Sequence, residues 1–213
     1  MTTEDRRSAL SGLLTVALWI AGTFLVTRSQ PGDHATGSEI LAWYKAHNDT
    51  IVLGGWIFMI GSLGFVTFVS GLRQRLADAV GPDSQLPGLA VVGAVMTGVF
   101  AMLFPAVDVG AGIDKTEISP ATAAAFHHAG DIFFVCAELA AVLPLAAVAL
   151  VAWRRRVLPR WWAGFSGLVA VVLIVGPIGW IGLIFGLPIW TLGTSLFVLL
   201  GSRERMQTAA ATA

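Results

Sequence analysis

Two adjacent histidines, an aspartate and a glutamate share one apolar stretch, residues 126–144, FHHAGDIFFVCAELAAVLP. On a helix turning about 100° per residue, His127, Asp131 and Glu138 fall within roughly 40° of one another. His128 lies about 60° from Asp131 and can join the same cluster, whereas Cys136 points to the opposite side. Imidazoles and carboxyls gathered on one face can hold a polar ligand, pass a proton or coordinate a cation. The ligand-binding candidates are therefore Glu138, Asp131, His127 and His128, and any acid–base catalysis would fall to Glu138 with Asp131. For a metal, His47, Asp108, His127 and Asp131 supply ligand types that suit zinc, iron or nickel. Paired histidines are not a spaced metal motif, so no metal is assigned, and nothing in the sequence names a cofactor.

Depth decides which of these groups is unusual. Counting back from Trp153 at about 1.5 Å per residue, a hydrocarbon core of about 30 Å ends near Ile132. Asp131 and both histidines then sit at the outer interface, and Glu138 lies roughly 10 Å below it. A charged carboxyl at that depth costs at least ~2 kcal/mol, so Glu138 should face the bundle interior, find a partner or carry a proton. Pro144 removes a helix hydrogen bond and frees the carbonyl of Ala140, which favours a kink or a polar pocket nearby.

The elements that position these residues follow from where charge is absent. The chain has 213 residues, 56% hydrophobic and 12% charged, about half the charge of a soluble domain. Formal net charge is zero, which leaves no nucleic-acid footprint. A single cysteine excludes an internal disulfide. Uncharged runs place spans at about 8–27, 50–72, 86–107, 120–153, 161–181 and 186–202. Ser119 and Pro120 open the fourth with a cap and a first-position proline. The last two share 42 uncharged residues between Arg160 and Arg203, with Gly182, Gly186 and Pro188 expected at the turn between them. Gly176-Pro177 predicts a kink near the outer end of the fifth.

The fold class expected is all-α: a single polytopic membrane helix bundle of six transmembrane helices. Ten basic residues, Arg6, Arg7, Arg73, Arg75, Arg154, Arg155, Arg156, Arg160, Arg203 and Arg205, fall on one side of these spans. Arg28, Lys45 and Lys115 fall on the other. The positive-inside rule then predicts cytoplasmic N- and C-termini. Between the first two spans, Ile40, Leu41, Trp43, Tyr44 and His47 share one side of a short amphipathic helix, 38–47. It is expected to lie on the membrane surface or to lid the bundle. Small-residue pairs, Gly61 and Gly64, Gly93 and Gly98, and Gly164 and Gly167, predict close helix approach.

The stretches EILAWYKAHND, LRQRL, LPRWWAGFSGLVAVVLIVGP and PIWTLGTSLFVLL together resemble the six-helix integral membrane proteins of unknown function common in actinomycetes. The resemblance covers nearly the whole chain and implies a fold and a bacterial plasma-membrane location, but no activity and no site residue. Three functions remain open. One is a non-enzymatic bundle that binds a small or lipidic ligand, or a partner protein, at an outer-leaflet polar pocket. Another is a small membrane enzyme resembling an acid-initiated isoprenoid cyclase, with Glu138 as the acid and Phe126, Phe133, Phe134 and Trp56 steadying cations. The third is a proton- or metal-coupled transporter. The lipid bilayer is the expected surrounding, and a homo-oligomer is compatible with all three.

Overall fold

The computed structural model describes residues 3–28, 30–32, 34–81 and 83–211, with side chains described through residue 200. Arg203 and Arg205 thus lie outside the described side chains. The elements are helices: α1 (Thr3–Thr27), α2 (Gly37–Val80), α3 (Leu86–Ile113), α4 (Pro120–Arg155), α5 (Arg160–Ile174), α6 (Gly176–Ile181), a π-helical turn (Gly182–Gly186) and α7 (Leu187–Ala211). Five stretches are long and apolar enough to cross a membrane, and the 15-residue α5 is the shorter exception. Large apolar side chains face outward along them, among them Leu14, Ile20, Phe24, Leu139 and Ile174, each more than half exposed. A water-soluble bundle would bury such residues; this is the architecture of a multi-pass membrane protein.

Small residues let the first two helices touch backbone to backbone. A methyl group built on Gly22 would lie 2.8 Å from both the Gly54 carbonyl oxygen and the Phe58 nitrogen, so no larger residue fits without parting α1 from α2. Along the same seam the Ser8 and Ser11 hydroxyls donate to the carbonyls of Phe68 (2.9 Å) and Gly64 (2.7 Å). The Trp19 indole donates to Ser62 Oγ at 3.1 Å. Gly61 and Gly64 serve this contact, as their spacing predicts, and Gly93 of α3 receives Leu143 and Pro144 of α4. Gly164 does not follow the pattern: a Cβ there would meet nothing within 4 Å. Helix α4 continues through Pro144 to Arg155, with the proline ring filling the notch at Gly93.

The last hairpin turns earlier than expected. Helix α5 ends at Ile174, and the backbone reverses at Val175 (φ −85°, ψ 90°), where Pro177 sits in the first turn of α6. Gly182 and Gly186 mark no turn. They lie inside the returning helix and admit Leu173 and Val169 of α5 against its backbone. Pro188 lies at the start of α7, where the π-helical turn leads into it. Spans 161–181 and 186–202 are therefore corrected to 160–174 and 176–200. Two indole donors lock this hairpin: Trp162 to Thr194 Oγ1 and Trp190 to Ser166 Oγ, both 2.9 Å. Trp190 also meets Phe68 edge-on at 6.0 Å, tying α7 to α2.

The amphipathic 38–47 segment is not a separate surface helix. Thr36 and Glu39 form a reciprocal capping box that starts α2, and the helix bends at His47 (φ −126°, ψ 17°) before entering the membrane span. The segment before the bend buries Ile40, Leu41, Trp43 and Tyr44 against Ile51, Ala111 and Ala123. At roughly 2 kcal/mol for each large apolar side chain, that contact fixes it over the end of the bundle. Gly37 allows this by lying directly against the Pro120 carbonyl at the start of α4. At the opposite end Arg75 Nε donates to Asp5 Oδ1 at 2.7 Å, joining α1 to α2.

Candidate functional site

The site is assembled where the N-terminal part of α2 covers the ends of α3 and α4. Helix α3 runs on to Ile113 instead of stopping near Val107, so Asp108 is carried inside the bundle and is 2% exposed. A carboxyl so buried needs donors, and the fully buried Tyr44 supplies one, its hydroxyl donating to Asp108 Oδ1 at 2.5 Å. His127 Nδ1 of α4 lies 3.6 Å from the same oxygen. The Trp43 ring meets His127 edge-on at 6.0 Å and Tyr44 at 5.0 Å. Three helices thus converge on one imidazole, with the carboxyl of Asp108 on one side and the indole of Trp43 on another.

His127 opens onto a cleft of about 510 Å³ lined by Gln30, Pro31, His127, His128 and Asp131. That volume falls in the range of small-molecule sites. At its rim His128 Nδ1 and Asp131 Oδ2 are 3.7 Å apart, one helical turn from each other and both largely exposed. Among the described residues no lysine or arginine lines the cleft. The buried indole nitrogen of Trp43 has no hydrogen-bond partner among the described residues, leaving a donor beside His127.

Glu138 belongs to a different place. It is 4% exposed, as an acid in hydrocarbon should be, but it is not among the residues lining the cleft. Seven residues along the helix separate it from Asp131 by about 10 Å. Its carboxyl lies over Gly179 of α6, so close that a methyl built there would come within 2.8 Å of Oε2. Of the four ligand-binding candidates, His127, His128 and Asp131 line the cleft and Glu138 does not; His127 is backed by Asp108. Trp56, expected beside Glu138 in the cyclase reading, is on the outward face and more than half exposed.

The four metal candidates do not converge. His47 turns back toward its own helix, with Nδ1 3.3 Å from the Trp43 carbonyl, and Asp131 pairs at the rim. Among the described residues no three His, Cys, Asp or Glu side chains are grouped to hold an ion. Tyr44 was the residue hardest to foresee as a site member. Its hydroxyl was the available signal, because a tyrosine on a buried face must find a partner for that group.

The fold and site define an all-helical, multi-pass bundle with a polar cleft at one end. Comparison with protein-family models, curated proteins and solved structures gives no match.

Proposed function

We propose that the chain is a bacterial plasma-membrane protein that binds a small or lipidic ligand bearing an ammonium group in the outer cleft, without catalysing a reaction. The arginine-rich end, and with it both termini, lies in the cytoplasm, and the cleft opens on the outer side. The observation that carries the ligand class is the charge around the cleft: Asp131 at the rim and Asp108 behind His127, with no lysine or arginine among the described lining residues. Imidazole and the Gln30 amide add hydrogen-bond partners without adding fixed positive charge. The covering segment of α2, held by Tyr44, completes the site.

The test is a titration of the purified full chain in detergent with ethanolamine, spermidine and, as an anionic control, succinate. The amines should raise the melting temperature in a saturable way and succinate should not. Asp131→Asn and His127→Gln should each weaken the amine response at least tenfold while leaving the helical content unchanged. A response to succinate as large as that to the amines would sink the proposal. So would amine responses indifferent to both substitutions.

A further inference from the structure

The α4–α5 turn carries four arginines within seven residues, Arg154, Arg155, Arg156 and Arg160, all exposed. The sequence holds no acidic residue from 139 to 203, and among the described residues no carboxylate pairs with any of the four. Among the described residues the cluster has no counter-charge. The exposed Trp153 and Trp161 bracket it, as indoles do at the boundary between headgroups and hydrocarbon.

Arg156 supplies a second, independent observation. It caps α4 in the left-handed region (φ 56°, ψ 32°), the only non-glycine residue among those described with a positive φ. Glycine is the usual occupant of this position because it takes the conformation without strain. The chain contains 24 glycines and places a guanidinium here instead. On α5, Gly164 shares the outward face of Trp161 and Leu168, and a Cβ there would meet nothing within 4 Å, so the helix backbone is bare at this point.

We propose that the α4–α5 turn is a binding site for an anionic diacyl phospholipid, its phosphate held by Arg154, Arg155, Arg156 and Arg160 and an acyl chain running past Gly164. Charge complementarity selects the headgroup, the two indoles set its depth, and the bare backbone at Gly164 lets an acyl chain lie close against α5. This site is at the opposite end of the bundle from the cleft and does not depend on what the cleft binds.

The experiment measures lipid binding to the full chain by native mass spectrometry and thermal shift in detergent, adding dioleoyl phosphatidylglycerol, dioleoyl phosphatidylcholine or inorganic phosphate. Only phosphatidylglycerol should bind and stabilise. Each arginine removed should weaken it about fivefold, so the triple variant Arg154→Gln/Arg155→Gln/Arg160→Gln should lose on the order of a hundredfold. Arg156→Gly is the discriminating variant: it relieves the backbone, so it should raise the melting temperature of the lipid-free protein while weakening lipid binding. Gly164→Leu should weaken binding of the diacyl lipid with all arginines intact. Arg6→Gln/Arg7→Gln, an equal kind of charge loss on α1, should leave binding unchanged. Equal binding of phosphatidylcholine or inorganic phosphate would overturn the proposal. An equal loss in the Arg6/Arg7 variant, or unaltered lipid affinity in Arg156→Gly and the triple variant, would overturn it as well.

Discussion

Replacing Tyr44 with phenylalanine removes one oxygen atom and tests how the N-terminal segment of α2 is held. The hydroxyl donates to Asp108 Oδ1 at 2.5 Å inside a contact where Tyr44 is fully buried and Asp108 is 2% exposed. Water does not reach the carboxyl to replace the lost donor. Hydrogen bonds to charged groups contribute about 1.5–3 kcal/mol, so Tyr44→Phe should cost about 2 kcal/mol. For a chain of this length that corresponds to a fall in melting temperature of roughly 4–8 °C. Asp108→Asn keeps an acceptor for Tyr44 and removes the buried charge, so its cost should be smaller, about 1 kcal/mol. The two should be non-additive, with a coupling of about 1–2 kcal/mol in a double-mutant cycle. Hydrogen exchange locates the effect: amides of residues 38–46 should lose roughly thirtyfold protection in Tyr44→Phe while those of α5 stay unchanged. Unaltered melting and exchange in Tyr44→Phe would refute the idea that this contact pins the segment over the ends of α3 and α4.

Other consequences follow from the packing. Gly22→Val should cost more than about 2 kcal/mol, because its side chain would meet the Gly54 carbonyl and Phe58, whereas Gly164→Ala should be neutral within about 0.5 kcal/mol; urea or thermal melts in detergent compare the two. Trp190→Phe should lose about 1 kcal/mol through its hydrogen bond to Ser166, and Ser166→Ala should show much the same loss by the same assay, with little further change in the double variant. Gly179→Ala should destabilise by forcing the Glu138 carboxyl aside, and Glu138→Ala should relieve that penalty when the two are combined.

How far the fold could be read from the chain depends on what each residue type can signal locally. Uncharged runs bounded by arginine located the long helices because burying an unpaired charge in hydrocarbon is costly at any position. The capping pair Ser119-Pro120 located the start of α4 for an equally local reason, a side-chain acceptor followed by a residue without an N–H. Glycine carries no such unambiguous meaning. Gly182 and Gly186 looked like a turn but provide space for Leu173 and Val169, while the real reversal at Val175 needed only the Gly176-Pro177 pair that had suggested a kink. That distinction rests on contacts between helices, which no single stretch of sequence displays.

The site was partly visible for the same reason. His127, His128 and Asp131 share a helix face, and the structure places all three around one cleft. Asp108 directly follows the uncharged run 86–107, where a charge usually closes a span; its burial follows from the covering segment of α2, a tertiary event. Glu138 was recognised as a buried acid from depth alone, but depth along one helix does not say which neighbour it faces. Gly179 proved to be that neighbour.

The ligand proposal has the cleft facing outward and the arginines inward. The most direct test uses the single native cysteine as an advantage: in a Cys136→Ser background, Asp131→Cys and Arg155→Cys are introduced separately and intact cells are treated with a membrane-impermeant maleimide. The account predicts rapid labelling at position 131 and none at 155 until the membrane is permeabilised. Labelling at 155 with protection at 131 would invert the molecule and contradict the account.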